Sequence, residues 1–148
     1  MEPLVTYLHY LSMLFIGAFL TVELILCRPG VSAAHVRLLP RLDIGYFSAA
    51  LVALATGLLR VFVYAKGWPF YASHPIFWVK MALYLAVALV SIAPTIAFIR
   101  WSRRLGAGAA PLPAPGDIAR IRRLVHLELG LLALIPLMAV LMARGIGR

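Results

Sequence analysis

The chain is short of cysteine and of acid: its 148 residues include one cysteine and five aspartates and glutamates. A lone Cys27 excludes an intrachain disulfide and a thiolate metal cluster. Charged residues make up 13% of the chain, against roughly a quarter in soluble domains. Enzyme motifs are missing too. No phosphate-binding glycine loop, dinucleotide fingerprint, histidine pair at zinc spacing or serine-nucleophile elbow occurs, which removes the common soluble enzyme classes. Met1-Glu2-Pro3 lacks the basic start of a signal peptide, and the bulky Leu26 before Cys27 argues against a lipoprotein cleavage site. The first apolar run therefore reads as a retained helix.

What is present is apolar: 64% of the chain is hydrophobic. These residues gather in four runs, each long enough for a bilayer core that needs about 20 helical residues. The expected helices are 4–27, 44–65, 75–99 and 118–143, with a flexible linker at 104–117, all within one domain, 1–148. The expected fold is all-α, an integral membrane bundle of four transmembrane helices. Asp117 stands where it can cap the last helix. Pro94 and Pro136 fall inside helices, which membranes tolerate.

The net charge of +9 does not signal nucleic acid, because the arginines lie between apolar runs rather than on one face of a soluble module. Arg28, Arg37 and Arg41 occupy the first loop; Arg100, Arg103, Arg104, Arg120, Arg122 and Arg123 occupy the third. Lys66, Arg144 and Arg148 lie on the opposite side. The positive-inside rule predicts loops one and three in the cytoplasm and both termini outside. The chain is then expected to be a multi-pass inner-membrane protein whose arginines meet anionic lipid. Tyr7, Tyr10, Tyr64, Trp68, Tyr71 and Trp78 would belt the outer interface, and Trp101 the inner one.

Gly45, Ala49, Ala53 and Gly57 recur at four-residue spacing in the second run. Such a stripe lets another helix approach closely, either one of this chain or one of a second copy, which keeps a homodimer through helix packing open.

The polar residues inside these runs carry the chemistry. At 100° per residue, Lys80, Tyr84, Val87, Ser91 and Thr95 share one face of the third helix, and His9, Ser12, Ile16 and Glu23 share one face of the first. A charge in lipid costs about 2.5–3.5 kcal/mol, so both faces are expected to turn inward. Depth divides the polar residues into two layers. The outer layer holds His9, Arg60 and Lys80, with Lys66, His74, Tyr10, Tyr64, Trp78 and Tyr84 nearby. The inner layer holds Glu23, Asp43, Thr95, His126 and Glu128.

His9 is either a histidine hydrogen-bonded to a neighbouring helix or a haem-iron ligand, with Arg60 and Lys80 as partners for propionates. Lys80 and Arg60 are either snorkelling cations, an anion or carboxylate clamp, or proton-relay groups. Glu23 and Glu128 are expected to pair with Arg28, Arg122 or Arg123, with a proton entry path as the alternative. His126 and Glu128 point roughly 200° apart, so at most one faces the centre. Met13, one turn from His9, together with His74 and Met81, leaves a Cu(I) site open.

Leu8-His9-Tyr10-Leu11, Thr56-Gly57-Leu58-Leu59-Arg60-Val61-Phe62, Lys66-Gly67-Trp68-Pro69-Phe70-Tyr71, Phe77-Trp78-Val79-Lys80-Met81, Ser91-Ile92-Ala93-Pro94-Thr95 and Met142-Ala143-Arg144-Gly145 span nearly the whole chain. Through them it resembles an uncharacterised family of short, four-helix bacterial predicted membrane proteins. Leu8-His9 and Trp78 to Lys80 are also similar to motifs of the HemJ-type protoporphyrinogen oxidases, and the architecture is similar to that of the CopD-type membrane proteins. The HemJ-type resemblance implies haem b, with His9 as the metal ligand and Lys80 as the functional base or anion partner. Arg60, Tyr84 and Trp78 would complete the cofactor site. The chain departs from that pattern after the first helix, where Cys27-Arg28-Pro29 stands. The expected function is a haem-b- or porphyrin-binding membrane oxidoreductase. A small transporter or metal-handling protein, or an accessory subunit, is the alternative.

Overall fold

The computed structural model describes residues 1–108 and 111–146. Residues 109 and 110 of the expected linker, and Arg148 of the charge pattern, lie outside the described residues. Helix α1 (Glu2–Leu26) carries Pro3 in its first turn, where the missing N–H has no intrahelical partner to lose. It ends as Cys27 leaves the helical conformation and Gly30 takes a φ of 80°, a value L-residues with a Cβ disfavour. Ser32 then starts α2 (Ala33–Leu59): its Oγ accepts from the His35 N–H at 3.3 Å, satisfying one of the orphan donors at a helix start. After Leu59 the same helix passes into a π-helical turn, Arg60–Tyr64. A short α3 (Trp68–Ala72) leads to α4 (Pro75–Gly106), and α5 (Pro115–Ala143) completes the chain.

The helices outrun the apolar runs at several ends. α2 begins at Ala33 rather than 44, because hydropathy marks the lipid-facing stretch while the backbone ladder continues past it. Val36, Leu39 and Asp43 are buried in this extension, so it packs as an amphipathic continuation of the helix. With its π turn, α2 comprises 32 residues, or about 48 Å at 1.5 Å per residue, well beyond a hydrocarbon core of about 30 Å. α4 likewise continues to Gly106. Trp101, expected at the inner interface, is instead buried beside Phe98 in the core. α5 starts at Pro115 with Ala114 as its N-cap; Asp117 sits in the first turn, where a carboxylate suits the helix dipole, and makes no cap hydrogen bond.

Four helices, α1, α2, α4 and α5, are long and apolar enough to cross a membrane. They run up and down, α1 packing chiefly on α2 and α4 on α5, with slighter contact between the two hairpins. Both termini and the α2–α4 connection therefore share one end of the bundle, the terminal end. The α1–α2 and α4–α5 connections form the arginine-rich end. Packing is closed there: Leu20, Val36, Leu39, Phe98, Ile118 and Val125 are all but fully buried. Toward the terminal end the buried apolar residues thin to Ile16, Ala53, Phe77, Val87 and Ile135, and the hairpins leave gaps between them.

The small-residue stripe of α2 is the seat of α1. A Cβ on Gly45 would stand 2.6 Å from the Phe19 ring, and one on Gly57 would stand 3.1 Å from His9 Cε1. At these positions the close neighbour is therefore a helix of the same chain.

Candidate functional site

His9, Ser12, Ile16 and Glu23 are all buried, so the face expected to turn inward on α1 does so. His9 lies against α2: its Nδ1 is 3.0 Å from the Ala53 carbonyl oxygen and 3.1 Å from Thr56 Oγ1. A carbonyl only accepts, so the bond to Ala53 places the proton on Nδ1 and leaves Nε2 with a free lone pair in the neutral ring. Thr56 was not singled out by sequence. Its neighbour Gly57 was, and the bare Cα of Gly57 is what admits the imidazole edge.

Beside His9 is a cavity of about 70 Å³, lined also by Met13, Phe77, Lys80, Met81 and Tyr84. Lys80 is half-buried, and Arg60 acts on it and on His9 electrostatically. Arg60 lies 5.4 Å from the centre of the Tyr10 ring, a cation–π distance. Neither cation has a carboxylate partner among the described residues. Tyr84 donates to the Ala50 carbonyl at 2.8 Å. Trp78 turns away: half-exposed, it donates from Nε1 to the Ala72 carbonyl at 2.9 Å and meets Trp68 edge to face. Of the residues expected around a cofactor, the fold thus brings His9, Lys80 and Tyr84 into one cavity with Arg60 beside it, and leaves Trp78 outside.

A second cavity, of about 260 Å³, continues between α2 and α4 toward the arginine-rich end. Both cavities are lined by Ile16, Tyr84, Leu132 and Ile135. Tyr46, Ser91 and Thr95 line the second one. Thr95 Oγ1 donates to Asp43 Oδ1 at 3.1 Å, and the Tyr46 phenol reaches Glu128 and Ser91. Glu23, Asp43 and Glu128, from three different helices, act on one another electrostatically.

The ion pairs expected for Glu23 and Glu128 do not form. Arg122 instead donates Nη1 to the Leu24 carbonyl and, at 3.1 Å, to the Cys27 carbonyl, capping the C-terminus of α1. A guanidinium so placed satisfies carbonyls that the helix end leaves open. Oε1 of Glu23 and Oε1 of Glu128 have no hydrogen-bond partner. His126 is exposed and bonds the Arg122 carbonyl at 2.9 Å, so of the pair His126 and Glu128 it is Glu128 that faces inward.

The donor chemistry beside His9 suits haem iron: a metal-binding histidine commonly has its other ring N–H held by a carbonyl. The room does not suit it. Drug-sized ligands occupy clefts of about 300–1,000 Å³, and the cavity at His9, about 70 Å³, admits an ion or a few water-sized atoms. The haem macrocycle does not fit against His9 in this packing.

No curated protein and no solved structure matches the chain. A family model described as "Predicted membrane protein (DUF2214)" matches residues 1–147. With four candidate spans and a match over almost its whole length, the chain belongs to the DUF2214 family of predicted membrane proteins.

Proposed function

We propose that this protein is a small membrane transporter that takes an anion into the cavity bounded by His9 and Lys80. One observation carries this reading: apart from Arg122, which is committed to the α1 carbonyls, the buried and half-buried charged side chains are sorted by sign along the bundle. The cations Arg60 and Lys80 lie toward the terminal end, beside His9, while Glu23, Asp43 and Glu128 lie toward the other end. Cations held away from water without an acidic partner are costly, and an anionic ligand removes that cost. The cavity between them is otherwise apolar, which strengthens every charge contact inside it. Its size selects a halide or a small carboxylate. Lys80 is the charge that meets the anion, and the Arg60 guanidinium stands beside it. Tyr84, which borders both cavities, stands where a gate between them belongs.

Charge-assisted hydrogen bonds contribute about 1.5–3 kcal/mol. In proteoliposomes offered chloride, phosphate and acetate in turn, Lys80→Met is therefore expected to lower the flux of the accepted anion by about ten- to a hundredfold. His9→Ala, which removes a neutral neighbour, is expected to have a smaller effect. An unaltered flux in Lys80→Met sinks the proposal. So does a Soret band in the purified protein that His9→Ala abolishes, since that outcome returns His9 to haem.

A further inference from the structure

The Lys80 side of the bundle leaves the opposite half, with its three carboxylates, without a role. Glu23 and Glu128 are each 1% exposed and Asp43 is 7% exposed. Asp43 receives the Thr95 hydroxyl and Tyr46 lies beside Glu128, but one oxygen of Glu23 and one of Glu128 have no partner at all. Native interiors rarely leave buried polar atoms unmatched, and those that remain call for a missing ligand, ion, proton or water. The nearby arginine is committed elsewhere, on the α1 carbonyls. Among the described residues, no three histidine, cysteine or acidic side chains are grouped so as to hold a metal ion. What three carboxylates from three helices can take without converging on one point is a proton.

We propose that Glu23, Asp43 and Glu128 form a proton-binding site that couples anion movement to a pH gradient. The inference rests on the transport reading above. The groups facing the site come from every packed helix: Glu23 from α1, Asp43 and Tyr46 from α2, Ser91 and Thr95 from α4, and Glu128 and Arg122 from α5, with Cys27 just beyond α1. Tyr46, Ser91 and Thr95 also line the larger cavity, so hydroxyls join the carboxylates to the space that continues to Tyr84 and Lys80. Charge balances simply. One proton on a carboxylate and one monovalent anion at Lys80 cross as a neutral pair, which avoids carrying net charge through lipid.

The test is made in proteoliposomes containing a pH-sensitive dye, with the full chain and an imposed gradient of the anion it accepts. Wild type is expected to acidify the lumen as the anion enters. Glu128→Gln and Glu23→Gln are expected to abolish acidification while anion still moves down its own gradient. Anion entry without a pH change in wild type overturns the coupling and leaves the anion pocket standing. Flux that requires sodium and shows no pH change also overturns it, in favour of a metal cation. Absence of flux for every anion is the failure of the transport reading, and it removes the coupling with it. An infrared carboxyl band that titrates in wild type and shifts in Glu128→Gln is expected whatever the flux; no such band overturns the proton site by itself.

Discussion

At the scale of single residues, position in the bundle overrides chemical type. Cys27 is 1% exposed, and burial pushes its thiol up from 9.0 to about 11, with the Arg122 charge opposing only part of that rise. The thiolate is the nucleophile, so the folded protein is expected to resist maleimide at neutral pH and to react once denatured in dodecyl sulfate. Rapid labelling of the native protein would contradict this burial. The sign for stability follows. A thiol whose value is raised by folding adds stability that is fully present below about 9 and is lost as pH rises through about 11. His9 and Lys80 were legible as residues that turn into the bundle, because a titratable group in an apolar run stands out. Thr56 and Tyr46 were not: hydroxyls are ordinary in membrane helices, and only their partners, His9 and Glu128, mark them.

At the scale of elements, the α1–α2 seam decides where His9 goes. The spacing of Gly45 to Gly57 announces a close approach, but small residues look the same whichever helix they receive. Phe19 and His9 fill the stripe, seating α1 antiparallel on α2. Gly45→Val has no room beneath Phe19, and overpacking of this kind costs about 1–3 kcal/mol. A corresponding loss in detergent-denaturation midpoint is expected, and Phe19→Ala in the same chain is expected to recover part of it. Equal stability of Gly45→Val and wild type would mean that α1 is seated elsewhere. The boundaries of α2 and α4 were less legible than their existence. Apolar content reports the solvent around a helix, whereas the helix itself ends where capping and glycine allow.

At the scale of the whole molecule, charge is arranged twice. Arginines crowd the end formed by the α1–α2 and α4–α5 connections, and the buried acids lie beneath them without ion pairs. The half-buried Arg60 and Lys80 lie toward the other end. By the positive-inside rule the arginine-rich end is expected in the cytoplasm and both termini outside. A phosphatase fused after the C-terminal helix is expected to be active and a fluorescent protein at the same place dark; the reverse pair refutes this orientation.

Composition and run length by themselves determined four apolar helices, the inward faces of α1 and α4 and the two polar layers, because lipid enforces helical periodicity and penalises stray charge. Only the tertiary structure decided that Arg122 caps α1 instead of neutralising Glu23 or Glu128. It alone decided, too, that the space at His9 is ion-sized and that Tyr84 stands between two cavities. Those outcomes depend on which side chains interlock between helices distant in sequence, and periodicity within one helix carries no information about its partner's register.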